Sequence, residues 1–130
     1  MKAPRIAAWL LAACAGAASA CPEAGAVGLR AVLGLWRVEF ANATAATLLL
    51  EPHPEDEAGL SGGINRNGVQ GIVAGDVRLG EFTLTESADG RTLSATFVGD
   101  VVPGTCGREI RGEWHDEQDN PPVPFVLRKL

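Results

Sequence analysis

The sequence predicts an all-β fold, an antiparallel meander of about eight strands closed into a small barrel, with a β-sandwich as the alternative. From Trp36 onward, apolar and polar residues alternate with the two-residue period of half-buried strands. Turn signals, of which Asn67-Gly68 and Asp89-Gly90 are the clearest, separate these segments at intervals of roughly ten residues. Two cysteines far apart in the chain add one disulfide to the prediction.

Each predicted element follows from its local pattern. A short helix is expected near Ala26 to Leu33, where glycines limit its length. The first strand follows, because apolar residues alternate with charged ones between Trp36 and Phe40. Pro52 and Pro54 stop the second strand, ATLLLE, from continuing. The later strands are expected in LSGGINR, VQGIVAG, EFTLTES, RTLSATFV, CGREIRGEW and VPFVLRKL.

The first twenty residues, MKAPRIAAWLLAACAGAASA, have the anatomy of a secretory signal peptide. Lys2 and Arg5 form a basic head, an apolar stretch follows, and Ala18-Ser19-Ala20 supplies the small residues of a cleavage site. We therefore expect residues 1–20 to be removed. Residues 21–130 are then a single exported all-β domain, located in the periplasm or outside the cell.

Cys14 and Cys21 leave alternatives for how the leader is processed. LAAC at Leu11 to Cys14 has the form of a bacterial lipobox, whose cysteine receives acyl chains. Lipidation of Cys14 would make the protein an outer-membrane lipoprotein, and we expect no other association with a membrane. A degenerate lipobox ending at Cys21 is a further alternative, and lipidation there would remove the disulfide.

Cys21 and Cys106 remain to pair once the leader is removed. In an oxidising compartment, two cysteines in one domain most simply form a disulfide. The bond would close nearly the whole domain into one loop, for which the chain-entropy model gives roughly 4 kcal/mol of stabilisation. We therefore predict a structural disulfide rather than a reactive thiol or a metal thiolate.

The charge balance of the chain is acidic. The 11 Lys and Arg residues face 16 Asp and Glu residues, for a formal net charge of −5. Removal of Lys2 and Arg5 with the leader leaves nine basic side chains and a net charge of −7. Such a balance disfavours nucleic acids and anionic lipid headgroups as partners.

The stretch GLSGGINRNGVQGIVAG, residues 59–75, is rich enough in glycine to invite comparison with phosphate-binding loops. A Walker loop requires a lysine after its glycines, and the sequence has no Lys between Lys2 and Lys129. A dinucleotide-binding loop requires a helix and a glycine spacing that this stretch does not offer. We therefore interpret the stretch as a hairpin with Asn67-Gly68 at its tip, and we expect no cofactor.

Gly34-Leu35-Trp36 resembles the G-x-W signature of calycin barrels, the lipocalin, fatty-acid-binding and avidin-like group. In that group a Trp on the first strand closes one barrel end, and a basic residue on the last strand packs across it. The resemblance implies this role for Trp36, with Arg128 as its basic partner. The chain is also similar to small exported bacterial proteins of unknown function, a likeness that implies no activity.

Aromatic residues fall mostly on the apolar positions of the predicted strands, where core packing is the default expectation. If one end of the barrel is open, the same side chains would instead line a small apolar pocket. The candidate pocket residues are Trp36, Phe40, Phe82 and Phe97.

The loop EPHPEDEAG, residues 51–59, is the candidate partner-binding loop. It is acidic, and its prolines reduce the conformational entropy that would be lost on docking. The side chains that would contact a partner are His53, Glu55, Asp56 and Glu57. A metal site would require His53 and His115 to converge with carboxylates, and because nothing in their spacing forces this, we predict no metal site.

The pattern G-x-S-x-G occurs at residues 59–63, GLSGG, but this stretch is predicted to begin a strand of a hairpin, whereas a nucleophile elbow requires a sharp turn from a strand into a helix. The disulfide removes the cysteine nucleophile, so the sequence offers no catalytic motif in the setting that its chemistry requires. We therefore predict a non-catalytic exported barrel that binds a small apolar ligand or an envelope partner. The alternatives are an inhibitor of a secreted hydrolase and an envelope metal-binding protein, each of which would use loop 51–59.

Overall fold

A computed structural model describes residues 21–130; the predicted leader, residues 1–20 with Cys14, lies outside the described residues. A 3-10 turn (Ala24–Ala26) and one helical turn, α1 (Leu29–Val32), precede the strands, so the predicted helix near residues 26–33 forms only in part. The strands are β1 (Gly34–Phe40), β2 (Ala45–Pro52), β3 (Leu60–Arg66), β4 (Val69–Arg78), β5 (Glu81–Ser87), β6 (Leu93–Val101), β7 (Glu109–Asp116) and β8 (Val123–Lys129).

The eight strands form a closed antiparallel barrel in sequence order. Each strand pairs with the next, and β8 pairs back onto β1, where Phe40 lies opposite Phe125. The predicted barrel is therefore confirmed, and the alternative sandwich does not form. Closure satisfies the backbone hydrogen bonds that an open sheet would leave unpaired at its edges.

Two hairpins turn through two residues that both have positive φ. Asn67 (φ 55°) and Gly68 (φ 90°) connect β3 to β4, as predicted from their dipeptide. Leu79 (φ 52°) and Gly80 (φ 80°) connect β4 to β5 in the same way. The second turn was not predicted, because leucine rarely adopts a positive φ.

Glycine allows neighbouring strands to approach closely where the barrel bends. Gly112 in β7 lies opposite Gly99 in β6, and both residues occupy inward positions. A Cβ atom on Gly112 would overlap the carbonyl oxygen of Val98. The bend at this place therefore requires a residue without a side chain.

One end of the barrel, where β1 begins, is covered by the segment that precedes it, and we call it the capped end. Val32 of α1 is fully buried in the core, and its carbonyl oxygen accepts a hydrogen bond from Trp36 Nε1 at 2.8 Å. The disulfide between Cys21 and Cys106 confirms the predicted pairing and ties this segment to the loop between β6 and β7. We call the opposite end, where β1 ends, the mouth.

The basic residue beside Trp36 is Lys129 and not Arg128. Lys129 lies opposite Trp36 in the β1–β8 register, and its Nζ donates a hydrogen bond to the Ala31 carbonyl at 3.0 Å. Because successive residues of a strand point to opposite faces, Arg128 lies on the outer surface, where it pairs with Glu39. Lys129 therefore occupies the position beside Trp36 that the resemblance to calycin barrels implied for Arg128.

Among residues 21–130, no helix has the length and apolar character needed to cross a membrane.

Candidate functional site

The four predicted pocket residues lie inside the barrel, as parts of its core. Trp36, Phe82 and Phe97 are fully buried, and Phe40 is 6% exposed. The ring of Phe97 lies 6.1 Å from that of Phe40 and 5.1 Å from that of Phe125, centroid to centroid. The surface recesses at the mouth and beside the acidic loop are lined by other residues. These aromatic side chains therefore pack mainly against the protein itself.

Two charged residues that the sequence analysis did not single out meet at the mouth. Arg66 ends β3 and Glu86 lies near the end of β5, and both point inward. Arg66 Nε donates to Glu86 Oε2 at 3.1 Å, and Arg66 Nη2 donates to Glu86 Oε1 at 2.6 Å. Trp114 Nε1 donates to the same Oε1 at 3.1 Å. The carboxylate of Glu86, a residue only 8% exposed, thus accepts three hydrogen bonds.

The guanidinium group of Arg66 also contacts two aromatic rings. Its central carbon lies 5.1 Å from the ring centroids of both Phe40 and Trp114, within the range of cation–π attraction. The Phe40 and Trp114 rings meet edge to face, with centroids 5.9 Å apart. We call Arg66, Glu86, Phe40 and Trp114 the mouth cluster. The edge-to-face rings and the paired charges of the mouth cluster close this end of the barrel above the apolar core.

A small recess adjoins the mouth cluster on its outer side. It has a volume of about 90 Å³, and Ile64, Arg66, Val69 and Glu86 are among the residues that line it. Sites for small organic ligands usually have volumes of about 300 Å³ or more. The recess therefore has room for only a few atoms of a ligand. A whole ligand would fit only if the mouth cluster moved.

The sequence itself carries a signal for the mouth cluster. Glu86 continues the inward series that begins with Phe82 and Leu84, and Arg66 follows the inward Ile64 by two residues. A charge at an apolar position of a strand requires a partner when it is buried. Two such charges at the ends of two strands could have been paired from the sequence.

The acidic loop between β2 and β3 lies at the capped end and has a defined conformation. The His53 N–H donates to the Gly59 carbonyl at 3.0 Å, which closes the base of the loop. The Glu55 N–H donates to His53 Nδ1 at 3.0 Å, and the Ala58 N–H donates to Asp56 Oδ1 at 3.0 Å. The loop is therefore held by its own hydrogen bonds, while the residues Glu55, Asp56 and Glu57 remain exposed.

The two histidines are not brought together. His53 is in the loop at the capped end, whereas His115 is the penultimate residue of β7, toward the mouth. His115 Nε2 lies 3.6 Å from Glu113 Oε1, a neighbour on the same strand. Within the described part of the chain, no three residues of the His, Cys, Asp or Glu type are grouped in a way that could hold a metal ion.

A second turn at the mouth contains an ordered carboxylate. The backbone N–H groups of Thr92 and Arg91 each donate to Asp89 Oδ1 at 2.8 Å. These hydrogen bonds favour the ionised form and hold the pKa of the Asp89 carboxyl below its ordinary value of 3.8. The β5–β6 turn is thereby fixed by a charged side chain that remains in water.

The fold and these sites define the class of protein as a small closed eight-stranded antiparallel barrel with one disulfide and a charged, aromatic mouth cluster. No protein-family model matches the chain, and no curated protein matches it at a significant level.

Proposed function

We propose that the protein is an exported, non-catalytic barrel that binds a protein partner of the cell envelope or its surroundings through loop 51–59. The observation that carries the proposal is the conformation of this loop, which is closed at its base and displays three carboxylates to solvent. A secreted hydrolase with a basic cleft is the class of partner that such a loop fits best.

The state of the barrel interior supports binding at the outer surface. The inward side chains, including Phe82 and Phe97, belong to one packed core. The mouth cluster lies between this core and the solvent at the end opposite the loop. An interior ligand would have to displace aromatic rings from their contacts, whereas a partner of the loop would not.

The order within the loop also supports this function. A loop that already has its bound conformation loses little entropy on docking. Its charges would attract a basic surface at long range and raise the association rate at low salt. The half-buried His53 accepts a hydrogen bond from the Glu55 N–H and donates one to the Gly59 carbonyl, so the carboxylates of Glu55 and Glu57 extend from a loop that is held at its base.

Export and fold family are further parts of the proposal. The Cys21–Cys106 disulfide suits an oxidising compartment, which agrees with residues 1–20 acting as a leader. Lipidation at Cys14 remains the alternative to simple secretion. Gly34-Leu35-Trp36 opens β1 at the capped end, which supports the likeness to calycin barrels.

A small apolar ligand is the second candidate function. The recess beside the mouth cluster supports it, because Ile64 and Val69 give this recess an apolar wall next to Arg66. Such a ligand would enter the barrel only if Phe40 and Trp114 moved apart.

The primary proposal is tested with two variants of equal charge. The loop variant carries Glu55→Gln, Asp56→Asn and Glu57→Gln, and the Asn side chain keeps the oxygen that accepts from Ala58. The control variant carries Glu113→Gln, Glu117→Gln and Asp119→Asn at exposed positions near the mouth. Each protein is immobilised and exposed to the exported proteins of the host and to a panel of cationic secreted hydrolases.

We expect the parent and the control variant to bind the same protein, with binding weakened by salt, and the loop variant to lose it. Equal binding by all three proteins would overturn the proposal that the loop is the site. No binding by the parent to any exported protein or hydrolase would overturn the partner-binding function.

A further inference from the structure

The segment in front of β1, residues 21–33, covers the capped end of the barrel, and we call it the cap segment. Val27 and Val32 are its two buried residues. Further aliphatic side chains pack against the core while remaining partly exposed, namely Ala24, Leu29, Ala31 and Leu33. The apolar contacts of the cap segment are therefore made by less than half of its residues.

Few polar contacts attach the cap segment to the strands. The Val32 carbonyl accepts a hydrogen bond from Trp36 Nε1 at 2.8 Å, and the Ala31 carbonyl accepts one from Lys129 Nζ at 3.0 Å. The backbone hydrogen bonds of the cap segment are local ones that close its own turns. Within residues 21–130, no backbone hydrogen bond joins the cap segment to a strand of the barrel.

The non-covalent contacts of the cap segment are weak in relation to its length. Every ordered residue costs conformational entropy, whereas only two residues of the cap segment are fully removed from water. The disulfide compensates for this, because it holds Cys21 beside Cys106 and so keeps the cap segment at a high local concentration above the barrel end. Gly34 (φ 124°) joins the cap segment to β1 and is a residue about which the cap segment can rotate.

The disulfide itself is open to solvent. Cys21 and Cys106 are both exposed residues, so a thiolate can reach either end of the bond. Cys106 also has a φ of 59°, a left-handed conformation that costs energy in a residue with a side chain. Relaxation of the β6–β7 loop after cleavage of the bond would release this strain. Exposure is typical of disulfides that exchange readily with thiols, whereas inert structural disulfides are buried.

An apolar ring lies under the cap segment. The inward residues at the capped end of successive strands are aliphatic or aromatic and buried, and those around Trp36 are Leu50, Leu60, Val77, Phe82, Val101 and Ile110. Displacement of the cap segment would uncover this ring and leave an opening lined by hydrocarbon. Concave surfaces of this composition bind the apolar parts of small ligands.

We propose that the Cys21–Cys106 disulfide is a redox latch, a bond whose reduction releases the cap segment and opens an apolar binding site at the capped end. The uncovered ring then takes the hydrocarbon part of a small apolar or amphipathic ligand. In the disulfide-bonded protein the site stays closed. The inference does not rest on the proposed function, because the latch uses none of the exposed carboxylates of loop 51–59.

A dithiol supplies the electrons for opening the latch. One thiolate of the dithiol attacks a sulfur of the Cys21–Cys106 bond, forms a mixed disulfide and releases the other cysteine as a thiolate. The second thiol of the dithiol then displaces the cysteine that is still bound, so the dithiol becomes a disulfide. Two electrons and two protons pass from the dithiol to Cys21 and Cys106. Exchange with an oxidising disulfide reverses both steps and closes the latch.

Two tryptophans report separately on the two ends of the barrel. The indole N–H of Trp36 donates to Val32 in the cap segment, whereas that of Trp114 donates to Glu86 at the mouth. Release of the cap segment breaks the first hydrogen bond and leaves the second one intact. The NMR signals of the two indole N–H groups, and their rates of hydrogen exchange, therefore distinguish local opening from general loosening of the fold.

The experiment compares four forms of the mature protein. These are the disulfide-bonded parent, the parent reduced with a dithiol, the variant Cys21→Ser/Cys106→Ser, and disulfide-bonded Gly112→Ala. The last is the control for lost stability, because the added methyl group overlaps the Val98 carbonyl oxygen within the strands and not in the cap segment. Each form is titrated with an environment-sensitive naphthylamine dye as the probe ligand, and circular dichroism checks that the strands remain folded.

We expect the reduced parent and the double serine variant to bind one dye per chain, with indole exchange at least about tenfold faster at Trp36 and unchanged at Trp114. The disulfide-bonded parent and Gly112→Ala should show neither effect. If the double variant does not fold when produced, reduction of the folded parent alone decides the question. Absence of dye binding after reduction, equal changes at both indoles, or unfolding of the strands on reduction would overturn the proposal.

Discussion

Glu86 lies at the mouth of the barrel, where its carboxylate binds the guanidinium of Arg66 and the indole N–H of Trp114. Breaking a buried ion pair usually costs more than forming it gains, because the remaining charge is left without a partner. If Glu86 lost its charge, the Arg66 guanidinium could become fully hydrated only by giving up its contacts with the rings of Phe40 and Trp114. The mouth cluster is therefore sensitive to small chemical changes.

We predict that Glu86→Gln lowers the free energy of unfolding by about 2 kcal/mol, between the costs for exposed and for fully buried ion pairs, because the Arg66 side chain is 30% exposed. The matched control is Glu39→Gln, which removes an exposed carboxylate that also pairs with arginine. That change should cost less than about 1 kcal/mol, as expected for surface ion pairs. Urea unfolding of both variants measures the difference, and equal losses would show that the mouth cluster is no more than a surface contact.

Single residues also show where sequence reasoning reached its limit. The resemblance to calycin barrels implied Arg128 as the basic partner of Trp36, but the basic residue beside this indole is Lys129. A shift of one residue along a strand reverses the face to which a side chain points. The alternation of Phe125 and Leu127 as buried residues carries the parity needed to choose Lys129 over Arg128.

At the level of elements, the turns and bends of the barrel depend on glycine in two different ways. Gly68 and Gly80 allow positive φ in two-residue turns. Gly112 instead allows β7 to approach β6 more closely than a Cβ atom would permit. The alternation pattern predicted the strands, but it carries no information about such close approaches, because they depend on residues distant in sequence.

We predict that Gly112→Ala destabilises the protein by about 3 kcal/mol, since the added methyl group would force the strand backbones apart. Gly63→Ala is the control, because its Cβ would point outward and meet the Gly71 carbonyl oxygen at an ordinary 3.4 Å. We expect that change to be neutral or stabilising by about 0.5 kcal/mol, through a less flexible unfolded chain. Thermal and urea unfolding measure both variants. Similar stability of the two would contradict the close packing of β6 and β7.

At the level of the whole molecule, the fold was predictable and the candidate sites were predictable only in part. Regular alternation, turn dipeptides and one cysteine pair were sufficient for a closed barrel with its disulfide. The loop carrying Glu55 and Asp56 was recognisable from its charge and prolines. The mouth cluster arises from strands brought together by barrel closure, which one-dimensional periodicity does not describe.

Whether a ligand can reach the barrel interior distinguishes the two proposed functions. A packed interior beneath a closed mouth leaves the outer surface to carry binding, whereas an accessible interior would make the protein a carrier of an apolar ligand. Phe97, at the centre of the ring contacts, and Trp114, at the mouth, lie on the path that such a ligand would take.

Titration of the mature, disulfide-bonded protein with an environment-sensitive naphthylamine dye, followed by dye and tryptophan fluorescence, tests this point most directly. If the interior is a core, the dye signal rises only weakly and in proportion to dye concentration, and the tryptophan emission does not change. A saturable signal with one dye per chain, accompanied by quenching of the tryptophan emission, would contradict the account and identify the barrel interior as the binding site.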